Sequence, residues 1–152
     1  MTLKAKTILE TETIPRVDLD FMNNTHFEEI DMVRELGEFI TAYQENNKPS
    51  EEGRDQVTQS LEAWLQHTEA HFARENELMQ ETGFPALAIH SEEHKIALNK
   101  MTTMINTWKS DQDIELIADY VFSQWPVWFD GHVNSMDMIT AKFAVMNGYQ
   151  EN

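Results

Sequence analysis

The chain has no cysteine, which excludes disulfides, thiolate metal sites, iron–sulfur clusters and cysteine nucleophiles. Any metal must therefore be held by nitrogen and oxygen ligands. Proline and glycine are scarce, four and five in 152 residues, and they punctuate the chain instead of breaking it into strands. No apolar run approaches the roughly 20 residues that a membrane span requires. Met1 to Arg16 carries Lys4, Lys6, Glu10 and Glu12 and lacks the continuous apolar stretch of a secretory signal. The expectation is a cytoplasmic protein without a membrane partner. Positive charge is short too: 11 basic against 27 acidic side chains give a formal charge of −16, which repels phosphate backbones and anionic lipid. This argues against nucleic acid as a partner, and the acidity reads as a solvated surface.

What is present is apolar residues at helical spacing. Helix A is expected from Asp18–Asp20 to about Glu45, with Phe21, Ile30, Val33, Leu36, Phe39, Ile40 and Tyr43 as its stripe. Asn46-Asn47-Lys48-Pro49 ends it, and Ser50 followed by Glu51 and Glu52 reads as an N-cap with an acidic first turn. Helix B carries Val57, Leu61, Trp64, Leu65, Phe72 and Met79 to about Glu81 and stops at Thr82-Gly83. Phe84-Pro85 opens helix C, proline being tolerated in a first turn, and the helix runs to about Lys109. Ser110 to Asp113 reads as a turn or cap. Helix D follows with Ile114, Leu116, Ile117, Val121, Phe122, Trp125, Trp128, Phe129, Val133, Ile139 and Phe143, and Pro126 inside it predicts a kink. The reading is an all-α, up-down-up-down four-helix bundle over residues 18–146, after an irregular lead (1–17) and before a short tail (147–152).

Five of the six histidines fall at metal-ligand spacings: His26 on helix A, His71 on B, His90 and His94 on C, and His132 on D. His90 and His94, four apart, share one helix face. His71 and Glu75 repeat that spacing with a carboxylate. His132 and Asp137 are five apart, about 140° around an ideal helix, so they converge only where the turn is distorted or Asp137 reaches inward. In an up-down-up-down bundle, residues at one depth are mirror-placed about the intervening turns. The midpoints between successive groups fall at Pro49-Ser50, Thr82-Gly83 and Asp113, on the punctuation already identified. A lone histidine on a helix is more often a surface residue than a ligand; five at one depth with two carboxylates are not scattered at random. If Glu75 and Asp137 each bridge two metals, five imidazoles and one oxo or hydroxo bridge leave two octahedral metals with a single open position, and the buried charge nearly cancels.

These residues resemble the hemerythrin family, including its bacterial single-domain members. The family pattern, a first-helix histidine followed by His-x3-Glu, His-x3-His and His-x4-Asp, is met by His26, His71/Glu75, His90/His94 and His132/Asp137. The neighbourhoods Glu75-Asn76-Glu77-Leu78-Met79, Gly83-Phe84-Pro85 and Trp128-Phe129 agree as well. The resemblance implies a di-iron centre, oxo- or hydroxo-bridged, with His90, His94 and His132 on one iron, His26 and His71 on the other, and Glu75 and Asp137 bridging. It implies dioxygen as the ligand of the second iron and a large apolar residue, here Phe129, over the oxygen pocket, with Trp128 and Phe72 nearby. Many bacterial members carry an N-terminal tryptophan and an aspartate three residues before the first ligand; this chain has Asn23 there and no tryptophan before Trp64. That departure bears on N-terminal packing, not on the ligands. His67, four residues before His71, matches no family position; an outer hydrogen-bond donor and a substitute ligand are the alternatives, and it is read as a bystander one turn away.

The functional expectation is a non-enzymatic protein that carries, stores or buffers oxygen. The rival readings are a di-iron enzyme acting on peroxide or nitric oxide, and an oxygen sensor or iron reservoir that works through a partner. No Ser-His-Asp array or Gly-rich phosphate loop offers a separate catalytic site.

Overall fold

The four amphipathic stretches form four helical rods in the computed structural model, which describes residues 14–46 and 50–151. Helix α1 is Asp20–Glu45, α2 is Glu51–Thr82 and α3 is Leu87–Asp111. The fourth rod, α4 (114–146), is α-helical over Ile114–Asp119, Trp125–His132 and Met138–Met146, with π-helical turns at Tyr120–Gln124 and Val133–Asp137 between them. Rods α1 and α3 each pack on both α2 and α4. Short connections force neighbours to be antiparallel, and the result is an up-down-up-down bundle. Among the described residues no helix is long and apolar enough to cross a membrane.

The connections form for the reasons that the residues suggest. Ser50 accepts the Gly53 amide at 2.9 Å as the N-cap of α2. Gly83 closes that helix in the left-handed region, φ 69°, which costs glycine nothing. Residues 47–49, where helix A was expected to end, lie outside the described residues. Two expectations need correction. Pro85 stands in a turn ahead of α3, which begins at Leu87, because the Leu87 amide bonds to the Phe84 carbonyl before the helix starts. At the other end, Ser110 and Asp111 are still helical, and Gln112 (φ 54°) and Asp113 make the turn. Asp113 then caps α4, its carboxylate accepting from Glu115 N and Leu116 N.

Pro126 is expected to kink its helix. It stands as the second residue of Trp125–His132, just after a π-turn whose closing bond runs from Trp125 N to Tyr120 O. The irregularity is thus already in the ladder where the proline enters it.

Burial divides the bundle lengthwise. Ile30, Val33, Leu36 and Ile40 of α1, Val57, Leu61 and Trp64 of α2, Met101, Ile105 and Trp108 of α3, and Ile117, Val121 and Trp125 of α4 make an apolar core. Apart from Ile30, near the middle of α1, they come from the C-terminal half of α1, the N-terminal half of α2 and so on in alternation, which antiparallel packing brings to one end. The complementary halves supply the buried polar residues His26, Glu29, His71, Glu75, His90, His94, His132, Asp137 and Thr140 to the other end.

The segments flanking the bundle fasten α1, which carries His26. Asn23 bonds to both the amide and the carbonyl of Val17, at 2.8 and 2.9 Å, so asparagine pins the segment 14–19, whose Ile14, Val17 and Leu19 are buried. Leu19 gives α1 no side-chain cap. Glu151, from the far end of the chain, accepts Asp20 N at 3.0 Å and Phe21 N at 2.7 Å in its place. A carboxylate there also complements the helix dipole. Glu151→Ala is expected to cost about 1 kcal/mol, read as a fall in Tm of about 3 °C. An unchanged Tm would mean that water serves those amides equally well.

Candidate metal centre

All five expected histidines and both expected carboxylates meet at the polar end of the bundle, each buried to within a few per cent of completely. Their potential ligand atoms form two groups. Glu75, His90, His94, His132 and Asp137 converge on one point, and His26, His71, Glu75 and Asp137 on a second. Oε1 of Glu75 faces His94 Nε2 at 3.2 Å and His90 Nε2 at 3.5 Å, while Oε2 faces His71 Nε2 at 2.5 Å and His26 Nε2 at 4.0 Å. Asp137 divides in the same way: Oδ1 lies 3.1 Å from both His90 and His132 Nε2, and Oδ2 lies 2.9 Å from His26 Nε2.

The convergence of His132 and Asp137 needs the π-turn. Within Val133–Asp137 the ladder widens to an i→i+5 bond from Met138 N to Val133 O. The extra residue in the turn swings Asp137 from the flank of the helix to the face of His132.

The imidazoles point inward through Nε2 because their outer nitrogens are engaged. His71 Nδ1 meets Glu29 Oε1 at 3.3 Å, His90 Nδ1 the Thr140 hydroxyl at 2.8 Å, His94 Nδ1 the Asn76 Oδ1 at 3.2 Å and His132 Nδ1 the Glu93 carboxylate at 3.0 Å. Among the described residues His26 Nδ1 has no hydrogen-bond partner. An Nδ1–H held by an outer acceptor leaves Nε2 with a lone pair. On one side three such atoms crowd together, His132 Nε2 being 3.2 Å from His90 Nε2 and 3.3 Å from His94 Nε2. Glu75 Oε1, buried among them, has no hydrogen-bond partner. Converging lone pairs and an orphaned carboxylate oxygen fit cations at these two points, as the donor set requires for a hard or borderline metal.

The electrostatics set the charge that the carboxylates call for. Burial pushes the Glu75 carboxyl up, as does Asp137, yet the His71 charge and bonds from His71 and His90 hold it below the usual carboxylate range. Asp137 is driven well below that range despite its burial, by the charge and hydrogen bond of His132 and by bonds from His26 and His90. His90, which burial alone would lower, is raised to about 9 by Asp137 and Glu75. The carboxylates are anions that demand positive charge beside them.

Three aromatic residues adjoin the centre. Phe129 stands edge-on to His26, ring centres 5.6 Å apart, and stacks on Trp125 at 4.6 Å. Trp128 stacks on His132 at 4.7 Å and Phe72 on His94 at 3.9 Å. Phe129 therefore lies against the two-imidazole side, and the other two cover imidazoles of the three-imidazole side. The sequence reading passed over Glu29, Thr140, Asn76 and Glu93. For Glu29 a signal existed: it stands three residues after His26, on the same helix face, inside the stripe of Met22, Ile30 and Val33.

The profile of the hemerythrin HHE cation binding domain matches residues 19–144. The chain belongs to the hemerythrin family. Similar curated proteins are bacteriohemerythrins. That of Aquifex aeolicus (strain VF5) is 27% identical over 135 residues, covering 89% of this chain and 96% of the relative. That of Ralstonia nicotianae (strain ATCC BAA-1114 / GMI1000) is 34% identical over 89 residues, 59% of this chain and 64% of the relative. A crystal structure of a hemerythrin with leucine replaced by tyrosine superposes with a TM-score of 0.64 at 18% identity, covering 95% of this chain and 96% of that one. This last likeness speaks for the hemerythrin fold, while the profile match spans the helices that carry all seven centre residues.

Proposed function

We propose that His90, His94 and His132 hold one iron and His26 and His71 a second, bridged by Glu75 and Asp137 and by an oxo or hydroxo group, in a domain of residues 18–146. We further propose that dioxygen binds reversibly on the two-imidazole side, so that the protein is a carrier, store or buffer and not an enzyme. The observation that carries this reading is the division of carboxylate oxygens: one oxygen from each of Glu75 and Asp137 lies on the side of His90, His94 and His132, and the other on the side of His26 and His71. The sides differ by one ligand, and a small molecule fits that difference.

Reduced iron would supply the electrons that hold dioxygen and recover them on its release. The chain's own residues do the rest. Glu75 and Asp137 cancel most of the cationic charge and so permit burial. Thr140, Asn76, Glu93 and Glu29 hold four imidazoles with Nε2 inward. Phe129 and Trp125 keep water from the two-imidazole side. Two carboxylates among five imidazoles depart from the carboxylate-rich Glu-x-x-His sites of oxidative di-iron proteins, which supports binding over turnover.

Metal analysis with visible spectra tests this. Two irons per chain are expected, with a reduced form that gains a charge-transfer band in air and loses it under reduced pressure. Irreversible bleaching with consumption of peroxide or nitric oxide would favour an enzyme. One metal per chain, or two zincs after iron-replete expression, would end the oxygen reading.

A further inference from the structure

The outer partners of the centre's imidazoles are unequal. A hydroxyl serves His90, an amide oxygen His94 and a part-exposed carboxylate His132, while His26 has none. His71 alone is backed by a buried carboxylate, Glu29, whose side chain is 1% exposed. The same oxygen, Oε1, also takes His67 Nδ1 at 3.3 Å and the Thr68 hydroxyl at 3.4 Å. One carboxylate of α1 is thus held by three residues spanning one turn of α2. On its outer side His67 Nε2 meets the exposed Glu28 at 3.5 Å.

Burying a carboxylate is costly unless it is hydrogen-bonded, and Glu29 belongs to neither group of converging ligand atoms. Its burial therefore serves something beside the centre, and the residue that it touches there is His71. On the two-iron reading, the His26/His71 side has the fewest ligands, and one of its two imidazoles lacks an outer partner. The other depends on Glu29. An imidazole with no outer acceptor is free to rotate or to carry its proton on Nε2, and in that tautomer it cannot ligate. An anionic acceptor also makes the ring a stronger donor to a metal.

We propose that Glu29 is a positioning residue that fixes His71 in its ligating tautomer and thereby sets how firmly the metal on the two-imidazole side is retained, with His67 and Thr68 holding the carboxylate in place. The proposal rests on the two-iron reading of the centre. It also gives His67, which no ligand position claims, a defined part: it holds Glu29 from outside the centre and stands edge-on to His71, ring centres 6.3 Å apart.

The test is release of iron from the loaded full-length protein to a ferrous chelator. Two phases of one iron each are expected in the wild type, the faster from the two-imidazole side. Glu29→Ala should speed the fast phase about 10–100-fold and leave the slow phase at the wild-type rate. Glu29→Gln, which keeps a carbonyl acceptor but not the charge, should restore most of the retention. His67→Ala should keep both irons and speed the fast phase by less than Glu29→Ala does. Val57→Ala, in the distant apolar core, serves as the control for general destabilisation. If Glu29→Ala speeds both phases together in proportion to its loss of Tm, as the control does, Glu29 is only a staple between α1 and α2 and the proposal falls. Wild-type release from Glu29→Ala would also overturn it, while leaving two bound irons and the reading of the centre intact. A wild type that holds fewer than two irons would remove both.

Discussion

Glu75→Gln is expected to take the protein from two bound metals per chain to one or none and to abolish the oxygen-dependent visible band. The argument is geometric. Glu75 is wholly buried, and Nε2 atoms of four histidines, His71, His94, His90 and His26, lie within 4.0 Å of its two oxygens. Glutamine fills the same space, so packing is preserved. Its amide offers one oxygen to one side only and presents N–H donors, which cannot ligate, to the other. The exchange also removes one negative charge from a site whose cations are buried only because carboxylates offset them. Elemental analysis and an air-exposure spectrum read the result. A variant with two irons and an unaltered band would show that Glu75 does not bridge.

The centre was readable in the sequence because a bundle turns spacing into depth. His71/Glu75 and His90/His94 are four apart, and the midpoints between the groups fall at the breaks between Glu45 and Glu51, Thr82 and Leu87, and Asp111 and Ile114. His132 and Asp137 were the exception. Five residues apart, they diverge on an α-helix, and Val133-Asn134-Ser135-Met136-Asp137 has no composition that announces a π-turn. The widened ladder follows from the tertiary site, not from local propensity.

Glu29 was missed for a different reason. An acidic residue on an amphipathic helix reads as solvated, and what buries this one is His67, Thr68 and His71 on another helix, about 40 residues away in sequence. The Glu151 cap on α1 spans 131 residues, and no local pattern encodes such a contact. What escaped the sequence is in each case a contact between distant segments. His71/Glu75 and His90/His94, by contrast, repeat at helical intervals, and their convergence was legible in the spacing.

Phe129→Ala is expected to act twice, on the fold and on access to the metal. Phe129 is 1% exposed, and truncating so deeply buried a ring costs about 3–5 kcal/mol. If packing were its only role, the centre's chemistry would stay nearly unchanged. The position argues for more. The ring stands perpendicular to His26, whose Nδ1 has no hydrogen-bond partner among the described residues, on the side with one imidazole fewer, and is backed by Trp125 and, behind it, Trp64. On the proposed oxygen-binding function, these rings are the wall that admits dioxygen, small and uncharged, more readily than water or anions. Removing the innermost ring opens space directly against the two-imidazole side. Autoxidation of the oxygenated protein and binding of azide to the oxidised protein should then both be faster than wild type. The measurements belong well below the melting temperature, where a destabilised fold is still fully populated and the rates report access alone. Phe129→Leu, which refills most of the space, should recover most of the stability and slow both rates toward wild type. If Phe129→Ala loses stability but keeps wild-type autoxidation and azide rates, the ring is core and nothing more, and water is excluded by some other part of the wall.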